Sequence, residues 1–173
     1  CSSDLIHAGV SNGISQWTRL RGYWRLDNNA YHGSGLEENE TYSGDIRWTD
    51  YRLTAEVIPL IGEHHYINSR VQGALRSYAF GLAPDQQLAL YKKDGTYTRL
   101  TAIPFAWQHG ETYQLSLTVN GDTFHAQATN AEGNTAELTW HDSDQPYQNG
   151  QIGLSTWYGS HTRYQHLRIE GVT

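Results

Sequence analysis

Regular alternation of apolar and polar side chains is the feature that most constrains this chain. Apolar residues occupy every second position in residues 113–119 and again in residues 124–128, and Asn120 and Gly121 lie between the two runs. A period of two turns one face of a strand towards a core and the other towards water. Because Asn-Gly favours the tight turn that joins two strands, the segment predicts an antiparallel hairpin with one buried face.

The same alternation recurs along most of the chain. It is found in residues 51–58, 78–82, 88–92, 98–103, 136–141, 151–156 and 164–170, with Gly, Asn, Asp or Pro in between. No segment sustains a helical period, so we predict about ten to thirteen short, mostly antiparallel strands. Such strands build sandwiches or barrels, and 173 residues suffice for a single domain, predicted over residues 1–173. We expect the acidic stretch 33–44 to be a solvated loop.

Charge and composition exclude two classes of function. The chain has 12 Lys and Arg against 18 Asp and Glu, a formal net charge of −6, and its basic residues form no stripe. A nucleic-acid surface needs clustered positive charge, so no nucleic-acid partner is expected. No apolar run approaches the roughly 18–20 residues that span a bilayer, so no transmembrane segment is expected.

The start of the chain favours a processed protein on the outside of a bacterial cell. The sequence contains no Met, and its only cysteine is Cys1, followed by small polar residues. A first cysteine in this setting is typical of a bacterial lipoprotein, and the alternative is a chance residue at a domain edge. We expect an extracellular or cell-surface protein that is cut from a longer chain, and lipid attachment at Cys1 stays open. A lone cysteine excludes an intrachain disulfide.

Three segments resemble concanavalin-like jelly-roll domains. In residues 16–33, Trp17 and Trp24 flank a short strand ahead of a hairpin; residues 43–53 form an aromatic-Asx-Tyr turn before a long strand; residues 150–157 and 164–169 resemble the last two strands. The resemblance covers most of the chain and implies an all-β antiparallel β-sandwich. Such domains are often accessory sugar-binding modules on secreted glycoside hydrolases, and some occur beside ADP-ribosylglycohydrolase-like enzymes. The resemblance therefore implies a non-catalytic carbohydrate-binding module whose partner is a polysaccharide or oligosaccharide. Such a module would hold a secreted polysaccharide-active enzyme on its glycan, and the catalytic domain would lie elsewhere in the full-length chain.

One departure from these relatives bears on metals. Many of them hold calcium with an Asp ahead of the last strand and an early acidic residue, whereas residues 164–167 of this chain contain no carboxylate. Calcium takes about six to eight oxygen ligands, several of them usually anionic. No cofactor is therefore predicted, and calcium held by backbone carbonyls is left as an alternative.

Planar polar side chains are concentrated between residues 64 and 78. A sugar needs such groups, because removing water from a hydroxyl without replacing it costs roughly 1–3 kcal/mol. On one strand, alternate residues from 66 to 72 would share a face, which we expect to be open to solvent. The alternative is a solvated face on which Arg70 pairs with a carboxylate such as Glu56. The predicted ligand-binding residues of this stretch are Tyr66, Asn68, Arg70, Gln72, Arg76 and Tyr78.

A second cluster lies in the connection between the last two predicted strands. It supplies Trp157, Tyr158 and His161, and we expect Trp157 or Tyr158 to stack on a sugar ring. The alternative is that Trp157 closes the end of the core and Tyr158 covers it. We expect the remaining tryptophans to pack in the core: Trp17, Trp24, Trp48, Trp107 and Trp140.

Two other functions compete with sugar binding. Retaining glycosidases need two carboxylates about 5 Å apart, and the paired acidic run of jelly-roll glucanases is missing from this sequence, so glycosidase chemistry is disfavoured. A polysaccharide lyase on the same fold would use Tyr or His as acid and base, and residues 65–78 supply those types, although the sequence motifs of alginate-lyase-like enzymes are not matched. A protein-binding domain is the third possibility. A zinc site at His64 and His65 is disfavoured, because neighbouring strand residues point to opposite faces.

Overall fold

A computed structural model describes residues 10–11, 14–15, 17–27 and 29–172. These residues form sixteen strands and no helix, and therefore no helix that could cross a membrane. Cys1 lies outside the described residues. The strands are β1 (Val10–Ser11), β2 (Ile14–Ser15), β3 (Thr18–Arg19), β4 (Tyr23–Asp27), β5 (Ala30–Ser34), β6 (Glu38–Ser43), β7 (Tyr51–Ile61), β8 (His65–Val71), β9 (Arg76–Ala83), β10 (Gln87–Asp94), β11 (Thr96–Pro104), β12 (Tyr113–Asn120), β13 (Thr123–Thr129), β14 (Thr135–His141), β15 (Gln151–Trp157) and β16 (His161–Gly171).

Fourteen of these strands form two sheets of seven, packed face to face. The front sheet has the order β11-β10-β9-β8-β15-β6-β3, and the back sheet has the order β14-β13-β12-β7-β16-β5-β4. The paired strands run antiparallel, and the apolar side chains of both inner faces belong to one core. The predicted all-β antiparallel sandwich is confirmed.

The predicted hairpin with one buried face is also confirmed. In the β12–β13 hairpin Leu117 lies opposite Ala126 and Val119 opposite Phe124, and all four side chains are buried. The turn lies one residue later than predicted: Asn120 ends β12 and pairs with Thr123, and the two-residue loop is Gly121, where φ is 57°, and Asp122. The tryptophans expected in the core lie there or pack against it: Trp17, Trp24 and Trp107 are buried, and Trp48 and Trp140 contact it while partly buried.

The acidic stretch differs from its prediction. Residues 38–43 form strand β6, which lies between β15 and β3 in the front sheet. Glu40 is consequently buried rather than solvated. A run of acidic residues favours a loop when only the sequence is considered. Here pairing with β15 and β3 makes the segment a strand.

Small residues on the outer face of the front sheet make room for large ones. Tyr66 of β8 lies in one row with Gly81, Ala89 and Ala102 on the neighbouring strands. A Cβ atom at Gly81 would overlap the carbonyl oxygen of His65. The glycine therefore lets β8 and β9 approach closely beneath the Tyr66 ring.

Candidate functional site

Tyr66 and Asn68 lie on the outer face of the front sheet, as predicted, but neither is open to solvent. Tyr66 is 0% exposed and Asn68 is 3% exposed. The ring of Trp157 covers Tyr66 at a centroid distance of 4.2 Å, and Asn68 is covered by its hydrogen-bonding neighbours. The expectation of an open face at these two positions is wrong, because side chains from β10, β11 and β15 converge over them.

Arg70 does not share that face. Its φ of 48° and a register irregularity opposite it in β15 turn the side chain into the interior, where it is 0% exposed. Nη1 donates to the carbonyl oxygens of Gly121 at 2.5 Å and Tyr147 at 2.8 Å. Nη2 lies 3.1 Å from Oδ1 of Asp50. The predicted open face therefore ends at Asn68. Arg70 does pair with a carboxylate, as the alternative expected, but the partner is Asp50 instead of Glu56 and the pair does not lie on a solvated face.

Tyr78 likewise faces the interior. Its hydroxyl donates to Oδ2 of Asp142 at 2.5 Å and accepts from the backbone N–H of Tyr147 at 3.1 Å. Its ring packs on Phe124 at 4.2 Å. Tyr78 thus supports a loop from inside instead of presenting a polar group at a surface.

Gln72 and Arg76 lie past the end of β8 and at the start of β9, where they line a cavity at the end of the sandwich. Nε2 of Gln72 donates to the carbonyl oxygen of Asn149 at 2.8 Å. The structure therefore separates these two residues from Tyr66 and Asn68.

His161 lies apart from Trp157 and Tyr158. It starts β16 in the back sheet, and its Nε2 is 3.0 Å from Nδ1 of His32. Burial lowers the pKa of His32 and of His161. The pKa of His32 is lowered further by the His161 ring and by the charges of Arg25 and Arg163, and the pKa of His161 is lowered further by Arg25. The strand boundary after Ser160 places His161 in the other sheet.

Six rings instead form one surface where β15 ends and β8 begins. Trp157 lies at its centre, 4.3 Å from Tyr97 and 5.0 Å from Tyr91 between ring centroids, and stacks on His64 at 5.5 Å. Trp157 itself is 2% exposed, and within the described residues its indole N–H has no hydrogen-bond partner. We call this surface the aromatic face and define it as His64, Tyr66, Tyr91, Tyr97, Trp157 and Tyr158.

A hydrogen-bonded polar network adjoins these rings. Lys93 Nζ lies 3.0 Å from Oε1 of Glu40, and the Tyr97 hydroxyl donates to the same carboxylate. Asn68 donates from Nδ2 to the Tyr97 hydroxyl at 3.0 Å and accepts from Ser155 Oγ at 2.7 Å. Burial raises the pKa of Glu40, although Tyr97 and Lys93 oppose the shift.

The rim of the aromatic face remains accessible. Tyr158 is 58% exposed, and its hydroxyl donates to Oε1 of Glu38 at 2.5 Å. That hydrogen bond, with partial burial, raises the pKa of Tyr158 to about 12. His64, Tyr91 and Tyr97 are half-buried.

Burial keeps the titratable rings of this surface in their neutral forms near neutral pH. Burial raises the pKa of Tyr66 and of Tyr97 well above the ordinary tyrosine value, so neither forms a phenolate near neutral pH. Burial lowers the pKa of His64, which keeps its ring neutral and hydrogen-bonded through Nδ1 to the Tyr66 hydroxyl at 2.7 Å. The surface therefore offers aromatic rings, hydroxyls and carboxylates for contact.

Some of this surface could have been found in the sequence. Alternation in β10 places Leu88 and Leu90 in the core and hence Tyr91 on the opposite face. The pairing of Glu40 with Lys93 could not be predicted from the residues around either one, because the two side chains meet only when β6 and β10 join the same sheet.

The described residues hold no group of three or more His, Cys, Asp or Glu side chains placed to bind a metal ion. Calcium held by backbone carbonyls stays a prediction.

No family model matches the sequence, and no curated protein matches it. Solved structures match the fold over nearly the whole chain. The carbohydrate-binding module CBM66 from Bacillus subtilis has a TM-score of 0.78 at 18% identity and covers 90% of this chain and 96% of its own. The lectin UEA-II complexed with galactose has a TM-score of 0.71 at 7% identity, over 99% and 100% of the two chains. The exoplasmic/lumenal domain of VIP36, in a form bound to Ca²⁺ and Man3GlcNAc, has a TM-score of 0.68 at 11% identity, over 92% and 85%. The concanavalin-like jelly-roll fold that the sequence resembles is therefore confirmed.

Proposed function

We propose that the protein binds a carbohydrate on the aromatic face and leaves it chemically unchanged. The observation that carries the proposal is the partly exposed ring of Tyr158 beside the half-buried rings of Tyr91 and His64, with the carboxylate of Glu38 at the same rim. A flat ring packs against the C–H side of a sugar, and hydroxyl and carboxylate groups replace the water around its hydroxyls. The buried network behind the rings holds them in place, which lowers the entropic cost of binding.

The charges around the aromatic face favour an uncharged sugar. Lys93, the buried cation of this region, is neutralised by Glu40. Glu38 and Glu63 both lie close enough to His64 to oppose the lowering of its pKa. On a chain with a net charge of −6, these carboxylates repel uronate or sulfated polymers more than neutral ones.

The ligands and functions of the similar structures support the proposal. One is a carbohydrate-binding module, one is a lectin complexed with galactose, and one has Man3GlcNAc bound. A shared fold alone does not fix a ligand, so the case depends on the aromatic face. We extend the proposal to the accessory role: a module that holds a secreted polysaccharide-active enzyme on its glycan.

Affinity electrophoresis tests the proposal directly. The protein is run in native gels that contain β-glucan, mannan, xylan, galactan or fructan, and in gels that contain alginate or polygalacturonate. We expect retardation in at least one neutral gel and none in the acidic gels. Retardation in none of the neutral gels would contradict the proposal.

A point variant then locates the site. Tyr158→Ala removes the exposed ring, and we expect its dissociation constant in the retarding gel to rise about tenfold, equivalent to about 1.4 kcal/mol. Tyr23→Ala is the matched control, since Tyr23 is 81% exposed on β4 of the back sheet. Equal retardation of both variants and the parent would remove the aromatic face from the proposal.

The lyase alternative stays a prediction and has a separate readout. A lyase also has to neutralise the carboxylate of its uronate, and the guanidinium of Arg70, one candidate for this role, is enclosed in the interior. Tyr66 and Tyr97 have raised pKa values that oppose a tyrosinate base. A lyase would produce unsaturated uronate and raise the ultraviolet absorbance of an alginate or polygalacturonate solution. We expect no such rise.

A further inference from the structure

A second concave surface lies at the other end of β8. A cavity of about 680 Å³ opens there between the end of the front sheet and the loop of residues 142–150. Its front-sheet wall includes Gln72, Arg76 and Asp94, and its loop wall includes Asp144 and Gln145. No residue of the aromatic face lines it. The volume is within the roughly 300–1,000 Å³ that small-ligand sites occupy.

The loop wall is held rigidly from inside the sandwich. The backbone of Tyr147 accepts from Arg70 Nη1 at 2.8 Å and donates to the Tyr78 hydroxyl at 3.1 Å. Lys92 Nζ lies 2.7 Å from Asp142 Oδ2 and 2.5 Å from the carbonyl oxygen of Asp144. Because buried groups fix the loop, the cavity is preformed and a ligand need not order it.

The side chains on the cavity surface keep hydrogen-bonding capacity. The side-chain amide of Gln145 has no partner within the described residues, and φ at this residue is 48°. Arg76 has a side chain 58% exposed, and its Nε lies 4.0 Å from Asp94 Oδ1. Gln72 uses Nε2 for Asn149 and retains its amide oxygen as an acceptor.

This set suits a neutral molecule rich in hydroxyl groups. The charges of Arg76 and Asp94 offset each other, and Lys92 is neutralised by Asp142. The carboxylate of Asp144 remains, which disfavours an anionic ligand. A sugar hydroxyl both donates and accepts hydrogen bonds. The guanidinium donates, the carboxylates accept and the amides do both, so the set can pair with such hydroxyls. Leu100 and Pro146 add apolar surface to the same cavity.

We propose that this cavity is a second carbohydrate subsite, which holds one sugar unit of the polysaccharide that also contacts the aromatic face. The inference rests on the proposed function. Gln72 follows the last residue of β8 and is six residues from Tyr66, so at about 3.3 Å per residue their Cα atoms are at most roughly 20 Å apart. Two subsites on one domain raise the apparent affinity for a polymer beyond that of either subsite alone.

The test compares variants of the whole chain in the neutral-polysaccharide gels of β-glucan, mannan, xylan, galactan and fructan. Arg76→Ala/Gln145→Ala removes two polar side chains from the cavity surface, and Tyr158→Ala removes the exposed ring of the aromatic face. A triple variant combines the three substitutions. Arg52→Ala/Gln108→Ala makes the same two changes at exposed positions elsewhere. Urea unfolding of each variant shows whether it is folded as the parent is.

We expect the cavity variant and Tyr158→Ala each to raise the dissociation constant at least tenfold, the triple variant to show no retardation, and the control to match the parent. A cavity variant that migrates as the parent does, while Tyr158→Ala weakens binding, overturns the second subsite and leaves the proposed function standing. The reverse result overturns the aromatic face. A parent that is not retarded in any of the five gels overturns both.

Discussion

The ammonium group of Lys93 lies 3.0 Å from Oε1 of Glu40 on the outer face of the front sheet, where the two side chains are only 8% and 9% exposed. Removing one partner of a buried pair leaves the other charge unpaired, which costs about 3–5 kcal/mol. We expect Glu40→Gln to lower the free energy of unfolding by about this amount, measured by urea denaturation. Glu132→Gln, at an exposed position, should change it by less than about 0.5 kcal/mol.

A second variant separates lost charge pairing from lost packing. In Glu40→Gln/Lys93→Met neither charge remains, so most of the lost stability should return. A double variant no more stable than Glu40→Gln would show that the pair does not act through charge.

The stretches that the sequence predicts well are those whose structure depends on near neighbours. Alternation in residues 113–128 determines both strands and their buried face, and Gly121 marks the turn, although the observed register places the turn at Gly121 and Asp122. Arg70 is different, because its direction depends on the register irregularity against β15, a strand some eighty residues further along the chain. Alternation alone cannot predict such a bulge, since one added residue moves all later side chains to the other face.

The same reasoning explains the site residues. Tyr66 and Asn68 were placed on the correct face by alternation, yet the sequence does not show which rings from distant strands cover them. Trp157 covers Tyr66 only because β15 pairs with β8. Exposure therefore depends on strand order, which the local alternation pattern does not reveal.

Arg70 is predicted to be a stabilising residue. Its guanidinium donates to the carbonyl oxygens of Thr49, Gly121 and Tyr147. A lysine ammonium cannot reach all three from one point, and each buried acceptor left unpaired costs roughly 1–3 kcal/mol. Arg70→Lys should therefore lower the free energy of unfolding by about 2–5 kcal/mol in urea denaturation.

Arg76→Lys provides the matched control, since the Arg76 side chain is 58% exposed. It should unfold within about 0.5 kcal/mol of the parent. If Arg70→Lys were equally harmless, the buried hydrogen bonds of Arg70 would not contribute to stability.

Acid is predicted to destabilise the fold through His65. The ring is buried: its Nε2 donates to the carbonyl oxygen of Gly62 at 2.9 Å, and its Nδ1 lies 2.6 Å from Oγ1 of Thr162. Burial lowers the pKa of His65 to about 3, below the value of about 6.5 in an unfolded chain. The unfolded chain binds more protons between these values, so stability falls as the pH drops below about 6.5, by up to about 1.4 kcal/mol per pH unit.

The measurement is the free energy of unfolding at pH 6.5 and pH 5, a range above most carboxylate titration. His65→Gln keeps a donor for Gly62 and removes the titrating ring, so its loss between the two pH values should be smaller than that of the parent. His141→Gln, at an exposed position, should retain the parent's loss. Equal pH dependence in all three proteins would refute the assignment to His65.

The close contact of β8 and β9 at Gly81 is the last feature open to a direct test. A Cβ atom there would overlap the backbone carbonyl of His65, and backbone cannot move aside as a flexible side chain can. Gly81→Ala should push the strands apart beneath Tyr66 and lower the free energy of unfolding by about 1–3 kcal/mol or more. Gly171→Ala is the control, because nothing lies within 4 Å of its added methyl group. Since Tyr66 packs on Trp157, the near-ultraviolet circular dichroism spectrum should change in Gly81→Ala and stay unchanged in Gly171→Ala. A Gly81→Ala variant with the stability and the spectrum of the parent would contradict the close contact.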